Sequence, residues 1–176
     1  SFGVKSLESV EAANFNDPMQ TVIAGSKAAV DKACEALKAA GAKRALLLPV
    51  SAPFHSTLMR PAAEKLKEAL VGVQLQTPQI PLLNNVDVAL EVDVLRIKDA
   101  LYRQAYSAVR WVEAIECMAQ ASRIEAIYEC GSGKVLMGMV KRISPDTQTG
   151  IVQDDRRNAP IEVIGLEGEQ HLTADD

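Results

Sequence analysis

His55 is the side chain in this sequence best equipped to move a proton. It lies in the run Val50-Ser-Ala-Pro-Phe-His-Ser-Thr-Leu-Met59, in a loop that Pro49 and Pro53 restrain. The other histidine, His171, falls in a polar stretch near the end of the chain. A neutral imidazole accepts a proton from a hydroxyl or thiol near neutral pH, so His55 is a candidate general base. A purely structural histidine is the alternative. A base needs a nucleophile. The nearest approach to a Gly-x-Ser-x-Gly elbow is Ala24-Gly25-Ser26-Lys27-Ala28, where N-capping of the following helix explains Ser26 fully. Gly131-Ser132-Gly133 is a second strand-to-helix turn. It is too short for a dinucleotide fingerprint and lacks the P-loop spacing; it is either an anion-facing helix start or a plain βα turn. Ser51 and Ser56 are too close to His55 along the chain to be comfortable attackers. The three cysteines, Cys34, Cys117 and Cys130, are odd in number and form no C-x-x-C pair. They read as small buried hydrophobes in a reducing cytosol. One histidine with scattered thiols makes no metal site.

The elements that must position His55 follow from periodicity and turn residues. Strands are expected over 9–15 and 20–24, joined as a hairpin at Asn16-Asp17-Pro18. Ser26 opens a helix that Gly41 ends, with Val30, Ala33, Cys34 and Leu37 on one face. Ala45–Val50 is five-sixths non-polar without alternation, the pattern of a strand covered on both faces. His55 thus lies just past the carboxyl end of a buried strand, where α/β sheets place their ligands. A helix over 57–70 carries the stripe Leu58, Met59, Ala62, Leu66, Ala69 and Leu70, with Pro61 in its first turn. Ile80–Leu83 reads as a strand, followed by the polar turn Asn84–Asp87. Asp93 caps a helix through Ala105, with Val94, Ile97, Leu101 and Ala105 inward. Trp111, Ile115 and Met118 mark a further helix. Ala126–Cys130 reads as a strand and 134–143 as a helix with Val135, Leu136, Met139, Val140 and Ile143 inward. Beyond Pro145 the chain is polar and acidic, with one strand candidate at 161–164 in a loosely ordered tail. The alternation of strands and helices gives an α/β class.

Composition narrows the function classes. The chain has 176 residues, 48% hydrophobic and 24% charged, with a net charge of −4. Nucleic-acid binding would need a clustered basic face, which is lacking. No apolar run approaches a membrane span, and the first residues show no signal-peptide pattern. Aromatics are only 4% of the chain, so Leu, Val, Ile, Ala and Met must build the core.

The segment Val50–Met59 resembles the catalytic-histidine segment of malonyl-CoA:acyl-carrier-protein transacylases. Asn14-Phe-Asn16, Gln20-Thr-Val-Ile-Ala-Gly25, Ala40–Ala45, Pro81-Leu-Leu-Asn-Asn-Val-Asp87, Arg103-Gln104 and Tyr128–Leu136 follow in the family's order. The resemblance covers about residues 8–143. It implies an α/β-hydrolase-like acyltransferase core, here incomplete, with a partial ferredoxin-like subdomain. Residues 8–50 would belong to the subdomain and 51–143 to the core; 1–7 and the tail 144–176 fall outside the likeness. In that family a serine of a Gly-His-Ser-x-Gly elbow attacks malonyl-CoA, a histidine takes its proton, and the malonyl group passes to acyl carrier protein. His55 matches the base, and Gln104 the residue whose backbone carbonyl orients it. Phe54, Asn14 and Asn16 match substrate-side positions, with Phe54 going with malonyl rather than branched units. The serine elbow, the oxyanion-side glutamine and the carboxylate-binding arginine have no counterpart in these residues. The resemblance therefore implies a cytoplasmic acyltransferase of fatty-acid synthesis, without cofactor beyond the coenzyme A thioester substrate. Its partners would be malonyl-CoA and acyl carrier protein, with no nucleic acid or membrane. The chain by itself is expected to be inactive. The alternatives are a non-catalytic remnant that binds carrier protein or coenzyme A, and a truncated product without a settled role.

Overall fold

Two antiparallel strands begin the computed structural model, which describes residues 9–50, 52–121, 124–131, 133–153 and 162–164. The chain divides into two units, 1–114 and 115–176. In the first, β1 (Val10–Asp17) pairs with β2 (Gln20–Gly25), with irregularities between Ala12 and Asn14 and between Phe15 and Asp17. The turn closes as expected, and the Asp17 carboxylate accepts from the Met19 amide at 2.8 Å. Helix α1 (Lys27–Ala39) is capped by Ser26, whose hydroxyl accepts from the Ala29 amide at 3.4 Å. At its other end Gly41 takes φ +99°, a value that suits glycine. The Gly41 amide donates to Lys38 and the Ala42 amide to Leu37, the paired bonds of a Schellman cap.

The next stretch departs from expectation. Ala45–Val50 forms no strand, and Leu46, Leu47, Leu48 and Val50 are 55–65% exposed. A strand exists only where a neighbour takes its N–H and C=O groups. Among the described residues, the backbone bond within this run is local, from the Val50 amide to the Leu48 carbonyl. The His55 loop leads into a 3-10 turn, Thr57–Met59, and then α2 (Arg60–Val71), with Pro61 in its first turn as expected. The apolar stripe expected on this helix is not what it buries: Ala62, Leu66 and Ala69 are exposed, and Ala63 is fully buried.

Strands β3 (Leu82–Asn84) and β4 (Ala89–Glu91) form a second antiparallel hairpin. The strand expected at Ile80 thus starts two residues late, and β4 was not anticipated. Helix α3 (Val94–Gln104) is capped by Asp93, whose carboxylate accepts from the Arg96 amide at 2.9 Å. Ile97 and Ala100 are buried, but Leu101 faces outward. Polar and aromatic groups join α2 to α3. The Arg60 guanidinium lies 4.3 Å from the Tyr106 ring centroid, and Lys67 lies 4.9 Å from that of Tyr102. The Tyr102 hydroxyl donates to Glu64 at 2.6 Å, and the two tyrosine rings meet edge to face. Arg60, Ala63, Glu64 and Lys67 share one side of α2 by helical spacing, which explains why the apolar stripe points elsewhere. After α3 the chain returns to β1. The Val109 amide donates to the Ala13 carbonyl at 2.8 Å, and the Phe15 amide donates to that of Val109 at 2.9 Å.

Helix α4 (Trp111–Gln120) crosses the boundary between the units and buries Ala114 and Ile115. In the second unit, β5 (Ala126–Cys130), α5 (Val135–Ile143) and β6 (Gln148–Gln153) form a parallel βαβ unit, and β7 (Glu162–Ile164) pairs antiparallel with β6. Val140 and Ile151 are buried, whereas Val135 and Leu136 are exposed against expectation. Strand β6 lies inside the stretch read as a loose tail. The expectations for 1–7, 154–161 and 165–176 lie outside the described residues. The three cysteines are free; Cys34 is half-buried, but Cys117 and Cys130 are exposed, contrary to the sequence reading. Cys130 ends its strand, and Cys117 sits about 200° around α4 from the buried Ile115. No helix among the described residues is long and apolar enough to cross a membrane. The described architecture is mixed α and β.

Candidate active site

His55 has φ of 59°, in the left-handed region that disfavours residues with a Cβ. The loop holds it there by hydrogen bonds on both sides. Ser56 is fully buried, and its hydroxyl donates to the Pro53 carbonyl at 2.7 Å. The Ser56 carbonyl accepts from the Met59 amide at 2.9 Å. The Glu11 carboxylate on β1 accepts from the Thr57 amide at 3.2 and 3.4 Å and from the Thr57 hydroxyl. An acid there sits at the start of the helical stretch 57–71, where the backbone dipole favours negative charge. Strand β1 therefore pins the turn that follows the histidine.

The imidazole faces the end of α3. Its Nδ1 lies 3.1 Å from the Gln104 carbonyl oxygen. A carbonyl has no proton to give, so Nδ1–H donates, and in the neutral ring Nε2 keeps its lone pair. Gln104 is the last residue of α3, so its carbonyl is one of those a helix end leaves without an i+4 amide. The Ser107 amide approaches it only at 3.4 Å. The Gln104 side chain is fixed separately. Its Nε2 donates to the carbonyls of Ser107 at 3.0 Å and Ala108 at 3.4 Å, and its Oε1 accepts from Asn85 Nδ2 at 2.7 Å.

The turn that carries Asn85 is itself tied down. Asn84, nearly buried, accepts from the Asp87 amide at 2.8 Å. Asp87 accepts two bonds from Arg103, at 2.6 and 2.7 Å, and Arg103 also donates to Asp99 at 2.6 Å. Arg103 holds the Asp87 carboxyl below its ordinary range, and the two carboxylates hold the guanidinium above its own. Arg110 does the same for Glu113, whose carboxyl is lowered by that hydrogen bond. Val88 has φ of 54°, a strained value for a β-branched residue.

Of the residues marked in the sequence, the structure brings His55 and Gln104 together. Phe54 is half exposed beside His55. Asn14 and Asn16 are half-buried on β1, and no hydrogen bond joins either to His55 or Gln104 among the described residues. Ser26 is an N-cap, and Ser132 lies outside the described residues. Glu11, Asn85 and the contacts between α2 and α3 escaped sequence reading, because exposed-looking polar residues carry no periodic signal. The one available hint was the Asn-Asn pair before Val86, a turn signal without an assigned partner. No group of three His, Cys, Asp or Glu among the described residues is placed to hold a metal. An open cavity of about 470 Å³ in the second unit is lined by Glu116, Glu125 and Asp146 among others, without a basic residue.

No family model matches the chain. Curated relatives do. The malonyl CoA-acyl carrier protein transacylase of Haemophilus influenzae is 53% identical over 147 residues, 84% of this chain and 47% of its own. That of Bacillus subtilis is 43% identical over 145 residues, 82% of this chain and 45% of its own. Among solved structures, the acyl-carrier-protein S-malonyltransferase of Burkholderia pseudomallei superposes with a TM-score of 0.78 at 54% identity, covering 81% of this chain and 46% of that one. A malonyl-transacylase solved in complex with its type II PKS acyl-carrier protein gives 0.79 at 47% identity, covering 83% and 47%. The chain spans about half the length of the relatives it matches. Over that span, in sequence and in fold, it belongs to the malonyl CoA-acyl carrier protein transacylase family.

Proposed function

We propose that this chain carries the general-base half of a malonyl transfer site. The observation that carries the reading is the bond from His55 Nδ1 to the Gln104 carbonyl, which leaves Nε2 as the free proton acceptor. In the reaction proposed, a serine hydroxyl attacks the thioester carbonyl of malonyl-CoA while Nε2 takes its proton. Collapse of the tetrahedral intermediate breaks the C–S bond, and the coenzyme A thiolate recovers that proton. The acyl-serine is then attacked by the thiol of acyl carrier protein, with Nε2 again receiving and returning one proton. The carboxyl end of α3 supplies partial negative charge beside the imidazolium formed in each step. We assign Phe54 a place against the malonyl group, and Asn14 and Asn16 places on the substrate side. The half-exposure of Phe54 next to the base supports the first of these. No cofactor takes part in this scheme. Three free cysteines accord with a reducing, cytoplasmic setting. The fold we infer for 8–50 is part of a ferredoxin-like subdomain, and for 51–143 part of an α/β-hydrolase-like core.

The sequence holds no Gly-His-Ser-x-Gly, and the serine in the nearest approach to that pattern, Ser26, is engaged as a helix cap. The 176 residues by themselves are therefore proposed to transfer malonyl groups poorly or not at all. The same observation favours a second reading, a non-catalytic module that binds acyl carrier protein or coenzyme A.

Two assays test this. Incubated with radiolabelled malonyl-CoA, the chain alone is expected to form no stable acyl-enzyme; labelling that disappears in Ser26→Ala overturns the missing-nucleophile reading. Mixed with the part of the Haemophilus relative that it does not align with, the chain is expected to restore malonyl transfer, and His55→Ala to lower that rate about 10²–10⁴-fold. Titratable binding of carrier protein, with no transfer in the mixture, supports the second reading instead.

A further inference from the structure

We propose that Asn85 is a positioning residue for His55, acting through the Gln104 side chain. The inference rests on His55 being the base, and it concerns what aims the carbonyl that orients it. That carbonyl belongs to the last peptide of α3, where no i+4 amide fixes its direction and helices fray. Beyond the long bond from the Ser107 amide, residue 104 is held by its side chain, through two donated bonds and one accepted. The accepted bond, from Asn85 at 2.7 Å, is the shortest of the three, and of the side-chain bonds it alone reaches beyond the residues next to Gln104. The other two run to carbonyls within the four residues that follow.

The orientation of the Asn85 amide is not a free choice. Its nitrogen faces two acceptors, Gln104 Oε1 and the Ala108 carbonyl at 3.4 Å. A flipped amide would set oxygen against oxygen at both. The consequence is visible at the other end of the group: Asn85 Oδ1 is buried and receives no hydrogen bond. An unpaired buried acceptor is destabilising, so the value of asparagine here lies in its donor. The turn behind it has the rigidity a positioning device needs. Asn84 closes it, the Asp87–Arg103 fork clamps it to α3 one residue before Gln104, and Val88 is held in a left-handed conformation.

The test reads the tautomer of His55 in the full chain and needs neither substrate nor nucleophile. With His171→Gln leaving one imidazole and ring-labelled ¹⁵N-histidine, the neutral form is expected to be mainly Nδ1–H, although free histidine favours Nε2–H. Asn85→Ala and Gln104→Ala are each expected to lower the Nδ1–H to Nε2–H ratio about fivefold, the loss of one modest hydrogen bond. The double variant is expected to match either single one, and Asn85→Ser, which keeps a donor, to lie between them and the parent. Gln104→Ala keeps both the carbonyl and the Asn85 turn. An unchanged ratio in it overturns the proposal even if Asn85→Ala fails to fold, as do additive effects in the double variant. Failure of malonyl transfer in the mixing assay leaves these ratios untouched, so the two readings fall separately.

Discussion

Val88 is strained by its own side chain. A β-branched residue at φ 54° sits about 1–2 kcal/mol above its preferred backbone. Asparagine tolerates that region, so Val88→Asn is expected to raise stability by about 1 kcal/mol, measured by urea denaturation. Its neighbour Asp87 gives a pH signature. Its carboxyl is held below the ordinary 3.8, so the clamp with Arg103 contributes fully above that value and is lost as pH falls through the lower, folded one. The contribution is modest, about 1 kcal/mol or less, because both partners are partly exposed. Asp87→Asn is therefore expected to destabilise at pH 6 and to converge with the parent once pH has fallen through the lowered, folded pKa of Asp87. At this scale the sequence singled out His55, and the structure sets its imidazole against the Gln104 carbonyl. Gln104 was legible only through the family resemblance, because its acceptor is main chain and any residue type supplies one. Glu11 and Asn85 were not legible, since their partners lie 46 and 19 residues away.

Elements closed by local rules were readable, and those closed by partners were not. The caps of α1 and α3 follow from Ser26, Gly41 and Asp93 because capping depends on a few neighbouring residues. Ser26→Ala is expected to cost about 1 kcal/mol in thermal or urea unfolding. The same variant is expected to leave malonyl transfer unaltered in the mixed assay. The strand expected at 45–50 failed for the opposite reason: strand formation needs two backbones, and hydrophobicity names only one. Strand β6 was missed because Gln148-Thr-Gly-Ile-Val-Gln153 has only two aliphatic residues and gains its place by pairing with β5. The face that α2 turns toward α3 was misread because ring, cation and carboxylate contacts look like a solvated surface in a helical projection.

For the molecule as a whole, the consequence is apolar surface. Leu46, Leu47, Leu48 and Val50 follow one another with their backbone groups unpaired by any strand, and half-exposed Phe54 comes soon after. Contiguous patches of that kind promote association with other chains. Leu47→Lys combined with Val50→Lys is expected to lower self-association in analytical ultracentrifugation and to weaken binding of a hydrophobic dye, with the far-ultraviolet circular dichroism unchanged. The mix of α and β elements was legible at this scale because it rests on the count of elements, which survives the loss of one strand and the gain of two.

The left-handed backbone at His55 sets two selective pressures against each other. Glycine would suit that conformation better by about 1 kcal/mol, and asparagine also tolerates it, but only an imidazole could act as the proposed base. A lineage that had stopped using the base would drift toward either one. Position 55 thus acts as a gauge of use. If the loop serves the proposed proton transfer, substitutions there are expected to be purged faster than at Val88, which carries the same backbone burden with no proton to move.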